Sequence, residues 1–173
     1  MGSAGKDDLQ MHQALLAEII REAAEPHSQR GIAIETKISD GHKGGIDEPN
    51  IIRRPEIIHG LRNMIQNAVD FATAKVWVES SWTKDSIVIT ISDDGYGYPP
   101  NLLGRLGDPF LGTKVGKENR HDYAGMGLGL FIAKTLLERT GAKISFANGH
   151  RNQTSDHSQS EPSGAIVEIY WPR

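Results

Sequence analysis

The sequence predicts an α+β fold: a two-layer sandwich in which a mixed, mainly antiparallel sheet is covered on one face by three helices. Three observations carry that expectation. Apolar residues recur at helical spacing in three separate stretches, six shorter runs are rich in Ile, Val, Thr and Trp, and 173 residues fit one hydrophobic core rather than two.

The first helix is predicted over Leu9 to Ala24, where Leu15, Leu16, Ile19, Ile20 and Ala23 share a face and Pro26 stops the run. "GIAIETKI" (31–38) sets Ile32, Ile34, Thr36 and Ile38 on one side of a half-buried strand, and a Gly-, Asp- and Pro-rich loop follows to Asn50. "IIRR" (51–54) is a short strand. Pro55 suits the first turn of the second helix, whose stripe runs through Ile57, Ile58, Leu61, Met64, Ile65, Ala68, Val69 and Ala72. "AKVWVES" and "SIVITIS" form a hairpin across a polar turn. About thirty residues after "SDDGYGYPP" have no periodicity of their own, and loops of that length in small domains are usually functional or mobile. Helical spacing returns from Leu128 to Thr140, with Gly141 as the C-terminal cap. "AKISFAN" and "AIVEIYW" close the fold as a hairpin, and its polar tip is expected to be disordered.

Bulk composition excludes several functions. A formal charge of −3 leaves no electrostatic footprint for nucleic acid, and the absence of cysteine removes disulfides, thiolate metal sites and cysteine nucleophiles. A reducing, cytoplasmic setting fits that usage. No apolar run approaches the 18 or so residues of a membrane span. The opening "MGSAGKDD" (1–8) reads as an expression scar or frayed terminus, leaving residues 9–173 as the domain.

Chemistry concentrates in three places. On the polar side of the second helix, His59, Asn63 and Asn67 are spaced i, i+4, i+8 and line up over about 12 Å of axis. Asn is a poor helix former, and its amide oxygen is a hard ligand suited to Mg²⁺; a plain solvated face would read the same way. "SDDGYGY" (92–98) follows a strand and is, locally, a hairpin signal. "GMGLGLFIAK" (125–134) places Gly125, Gly127 and Gly129 ahead of a helix, where close backbone approach and unpaired N–H groups favour phosphate. Neither established phosphate loop is present: Leu130 stands where a Rossmann fingerprint needs its third glycine, and Thr113 precedes Lys114 where a Walker loop needs Gly-Lys. Between these motifs, Lys114, Lys117, Arg120 and His121 give a glycine-hinged segment the character of a cationic lid or of a charged solvated loop.

It is the order of these motifs that is specific. "NMIQNA" (63–68), "DDGYG" (93–97), "DPF" (108–110) and "GMGLGL" (125–130) resemble the N, G1, F and G2 boxes of the GHKL, or Bergerat, ATP-binding fold, in particular the catalytic domain of sensor histidine kinases. "HGLRNMIQNAVDFA" and "GLFIAKTLLERTGAK" resemble the redox-responsive RegB and PrrB type more narrowly. The resemblance covers about residues 12 to 173. It implies ATP and Mg²⁺ as cofactors, with Asn67 on the metal and Asn63 at the phosphates. Asp93 would accept from the adenine amino group, with Asp94 and Gly95 making the turn and Gly97 letting the base approach. Gly125, Gly127, Leu128 and Gly129 would shape the phosphate end, with Phe110, Thr113 and Lys114 from the lid side.

A carboxylate facing the wrong base edge loses about 1–3 kcal/mol or more, so adenine is favoured over guanine. His59 stands where related ATPases hold a catalytic base, and a base, an organiser of water and Mg²⁺, or a structural helix His are its three readings. Where the family commonly has Lys or Arg three residues after the metal-binding Asn, this chain has Asp70, which leaves lid cations to compensate. None of the seven histidines lies in a phosphoacceptor H-E/D-x-x-P context. The implied activity is therefore donation of the γ-phosphoryl group to a His on a separate dimerisation domain and on to a response regulator, within a membrane-anchored sensor. The alternatives are an anti-sigma-factor type of serine kinase and a non-kinase ATPase module of the same fold.

Overall fold

The structure, a computed structural model, describes residues 12–40, 45–108, 120–149 and 162–173, with the backbone alone for 120–126. The predicted α+β sandwich is present. Five strands form the main sheet: β2 (Ala33–Asp40), β4 (Lys75–Trp82), β5 (Ser86–Asp93), β6 (Lys143–Asn148) and β7 (Ala165–Pro172). Their order is β2-β4-β5-β7-β6, with β2 and β4 parallel and the other pairs antiparallel. A small second sheet pairs β1 (Gln13–Leu15) with β3 (Asn50–Ile52).

The first helix, α1 (Leu16–Ala24), is shorter than its stripe predicted. Gln13 to Leu15, expected to be helical, form a strand because β3 offers them backbone partners, Gln13 facing Ile52 and Leu15 facing Asn50. The helix start is fixed from outside: Leu16 N–H donates to the Pro49 carbonyl at 3.2 Å and Ala17 N–H to Glu48 Oε1 at 2.6 Å, satisfying first-turn donors. Pro26 falls in a 3₁₀ turn (Glu25–His27) that ends the element. Thr36, expected on the buried side of β2, is exposed while Ile34 and Ile38 are half-covered, because β2 is an edge strand.

Alternation along β5 points Ile87, Ile89 and Ile91 inward, and these join Val76, Val78, Val167 and Ile169 in one core. α1 contributes Leu16, Ile19 and Ile20; α2 (Pro55–Phe71) contributes Leu61, Met64 and Ile65. Each such side chain stabilises the fold by about 1.5–3 kcal/mol through burial. α3 runs from Arg120 to Glu138 and adds Leu130, Ala133 and Leu137. It lies close to α2 at Gly60, where a Cβ would come 2.5 Å from Leu137 Cγ.

α3 begins earlier than its expected start at Leu128. Gly125, Gly127 and Gly129 are therefore inside a helix, not ahead of one. Glycine weakens a helix by about 1 kcal/mol per residue but does not forbid it; helix-favouring Met126 and Leu128 separate the three, and Ala124 and Leu130 flank them. Gly141 has φ +90° and caps α3 as predicted, its N–H donating to the Glu138 carbonyl at 3.0 Å. The stretch after Tyr98 is not wholly without structure, since a 3₁₀ turn (Leu103–Arg105) lies between buried Leu102 and Leu106. Most of the β6–β7 tip, expected to be disordered, lies outside the described residues.

Candidate functional site

At the end of β5 the inward alternation that buries three isoleucines delivers a fourth side chain, Asp93, which is 1% exposed. Its Oδ1 accepts from Gly95 N–H at 2.8 Å and Ala165 N–H at 3.2 Å. Its Oδ2 is buried and has no hydrogen-bond partner among the described residues. Burial pushes the carboxyl up to about 6, with the neighbouring Asp94 charge adding to the rise, while the two backbone N–H bonds pull against it. One buried acceptor is thus fixed in place and left open.

The turn around it is packed backbone to backbone. A Cβ on Gly95 would overlap the Phe71 carbonyl oxygen at the end of α2, and one on Gly164 would overlap Asp93 Oδ1. Gly97 has φ +81°, which L side chains rarely adopt, and a Cβ there would lie 2.7 Å from Asn148 Oδ1. Asn148, at the end of β6, accepts from Tyr98 N–H at 2.7 Å and donates from Nδ2 to the Tyr98 carbonyl at 2.8 Å. Tyr98 is buried, meets Phe146 edge to face with 5.8 Å between centroids, and is raised above its ordinary pKa by burial and the Asp93 charge.

Asp94 does more than make a turn. Its Oδ1 accepts from Thr73, Ala74 and Lys75 N–H at 2.9, 3.0 and 3.1 Å, tying the α2–β4 connection to the end of β5. This role was not legible along the chain, nor were those of Asn148 and Gly164, since each acts on partners some twenty to seventy residues away. Asn148-Gly149 and Ser163-Gly164 are visible only as turn dipeptides flanking the polar tip.

On α2 the predicted polar row is present, with His59 exposed and Asn63 and Asn67 half-buried. Among the described residues neither asparagine amide has a hydrogen-bond partner, so their oxygens are available to a hard cation and its shared phosphates. Asp70, three residues on, pairs with Arg30 at 2.5 Å. On α3, Gly127 is buried, Gly129 is partly covered, and Leu128 is 64% exposed. Phe110, Thr113, Lys114 and Lys117 lie outside the described residues, as does the side chain of Arg120. No group of three or more His, Cys, Asp or Glu that could hold a metal occurs among the described residues, and no helix there is long and apolar enough to cross a membrane.

A helix-covered mixed sheet, a buried single acceptor at a strand end and a neighbouring row of asparagines on a covering helix define a GHKL-type nucleotide-binding domain. The chain belongs to the family described as histidine kinase-, DNA gyrase B- and HSP90-like ATPases, whose profile matches residues 53–173. It is 57% identical over 175 aligned residues to the sensor histidine kinase RegB of Cereibacter sphaeroides, covering 99% of this chain and 38% of that protein. With the sensor histidine kinase CpxA of Escherichia coli it shares 28% identity over 91% of this chain and 30% of the relative. The chain thus spans well under half the length of these relatives.

Among solved structures, the mycobacterial sensor histidine kinase MprB superposes with a TM-score of 0.64 at 19% identity, over 92% of this chain and 95% of that one. Full-length ShkA in complex with AMPPNP superposes with a TM-score of 0.63 at 20% identity, over 92% of this chain and 31% of that one. Both likenesses concern the fold.

Proposed function

We propose that this chain is the ATP-binding catalytic domain of a RegB-type sensor histidine kinase. It would deliver the γ-phosphoryl group to a histidine on a separate phosphoacceptor domain, from which a response regulator takes it. The observation that carries the reading is the open Oδ2 of Asp93. A buried carboxylate oxygen whose twin is fully engaged is unfavourable unless a donor meets it, and the exocyclic amino group of adenine is such a donor. Guanine presents a carbonyl oxygen at that edge and would repel it. The 57% identity to RegB supports the kinase branch and the redox setting over the serine-kinase and non-kinase alternatives.

In this reading the chain works by positioning. Asp93 and the Gly95–Gly97 backbone hold the base, which sets the nucleotide's orientation. Asn67 and Asn63 meet the phosphate end from α2, Asn67 as the metal ligand. Bound Mg²⁺ supplies the charge neutralisation that phosphoryl transfer requires. Gly125, Gly127 and Gly129 on α3 would let phosphate approach the backbone, with Phe110, Thr113, Lys114 and Leu128 completing the cofactor contacts. His59, at the exposed end of the row, is assigned to ordering water or the acceptor rather than to the metal. In the cell the domain would sit on the cytoplasmic side of a membrane-anchored sensor.

The test is calorimetric titration with a non-hydrolysable ATP analogue and its guanine counterpart, each with and without Mg²⁺. Adenine-selective, Mg²⁺-enhanced binding is expected. Equal binding of the two bases would sink the reading. Asn67→Ala should remove the Mg²⁺ enhancement while leaving the circular dichroism spectrum and unfolding midpoint unchanged. Transfer is checked separately with a histidine-bearing helical hairpin, on which an acid-labile phosphohistidine should appear.

A further inference from the structure

We propose that Arg30, clasped by Asp70, is the cation that the α2 polar row presents to the terminal phosphates of the nucleotide; this rests on the nucleotide reading of that row. Asp70 follows Asn63 by seven residues and so lies within about 20° of it around the helix, one turn beyond Asn67. An unmasked carboxylate there would oppose a polyphosphate. The structure masks it: Arg30 Nη2 donates to Asp70 Oδ1 at 2.5 Å, reaching across from the turn that joins the 3₁₀ segment to β2. That turn is set by Arg30 N–H donating to the His27 carbonyl at 3.4 Å and by Gly31 at φ +80°.

The pair is poorly explained as a device for stability. Its side chains are 43% and 38% exposed, and ion pairs that open to water contribute about 0–1 kcal/mol. As a carrier of charge it is well made. A guanidinium has five N–H donors in a rigid fork, and the Asp70 bond uses one of them, so the others remain for phosphate oxygens. Beneath the pair, His27 is 6% exposed, and among the described residues neither its Nε2 nor the buried Arg62 Nε has a partner. Burial, with Arg30 and Arg62 nearby, lowers the His27 pKa, so at neutral pH it does not compete for Asp70. Two arginines against one carboxylate leave the cluster with a charge of about +1, beside a row of neutral amides. Two described lysines are committed elsewhere: Lys75 pairs with Glu35, and Lys134 lies 3.8 Å from Glu138.

The test compares AMP, ADP and a non-hydrolysable ATP analogue, with Mg²⁺, on the wild type, on Arg30→Ala and on the double variant Arg30→Ala with Asp70→Lys. AMP carries the base and ribose but lacks the terminal phosphates. Arg30→Ala should weaken the triphosphate analogue about tenfold and leave AMP within about twofold, with little change in unfolding temperature. The double variant removes the ion pair yet restores a cation to the row, so it should regain most of the lost triphosphate affinity. The proposal fails if Arg30→Ala weakens all three ligands equally or none, or if the double variant binds the triphosphate no better than the single one. If the wild type binds none of the three, the nucleotide reading falls first and this inference with it.

Discussion

Asp93 divides its two oxygens between two tasks: Oδ1 is held by the Gly95 and Ala165 N–H groups, and Oδ2 is kept for something else. This division makes Asp93→Asn an informative substitution. The asparagine oxygen takes the place of Oδ1, and Nδ2 is forced into the position of Oδ2, where its N–H groups face the adenine amino group donor to donor. The variant should lose adenine-nucleotide binding by at least about a hundredfold, the cost of about 3 kcal/mol for an unmet pair plus a lost bond. It should be no less stable than the wild type at neutral pH, because a desolvated charge has been removed. Stability against pH reports the same group. With a folded-state pKa of about 6 against an ordinary 3.8, the protonated acid is the form the fold favours. The stabilisation is full below 3.8 and is lost as pH rises through 6. The unfolding free energy of wild type minus that of Asp93→Asn, from urea titrations, should therefore fall by about 1 kcal/mol between pH 5 and pH 7.5. A flat difference would mean that the carboxyl is not perturbed.

Among the elements, the loops closing the site and the helix bearing the glycines respond oppositely to the same methyl group. Gly164→Ala would press a Cβ onto Asp93 Oδ1 and crowd Gly95 N at 2.7 Å, so we expect a loss of about 2–4 kcal/mol and no nucleotide binding. Gly129 has nothing among the described residues within 4 Å of where its Cβ would be and lies in α3, so Gly129→Ala should stabilise by about 0.5–1 kcal/mol. Thermal unfolding of the two variants side by side checks both, and a stabilised Gly129→Ala that still binds ATP would take Gly129 out of the phosphate site. The α2 stripe was readable because eight apolar residues hold one helical period and Pro55 marks the first turn. The start of α3 was not readable, because three glycines within five residues resemble a loop locally, whereas the helix extends back through them to Arg120. The start of α1 was hidden for a related reason: Gln13–Leu15 continue its apolar stripe, and only pairing with β3 makes them a strand.

For the molecule as a whole, ligand binding and folding are linked, since the site is assembled from β5, the end of α2 and the β6–β7 hairpin, which meet only in the folded chain. A nucleotide that binds the folded state alone, at a hundred times its Kd, adds about 2.7 kcal/mol. The unfolding temperature should rise by several degrees with an Mg²⁺–ATP analogue and not with the guanine analogue, which a thermal-shift titration reads directly. By itself the sequence determined the helices and strands with strong periodicity, the α+β class, and the four ordered motifs with Asn63, Asn67 and Asp93 in them. Periodicity and turn chemistry are local, and so are legible along the chain. The tertiary structure alone decided that one oxygen of Asp93 is occupied and the other open, that Asn148 and Gly164 close the pocket from fifty or more residues away, and that Arg30 covers Asp70. Those facts depend on which strands become neighbours, and strand order is set by burial of the whole core rather than by any segment of it.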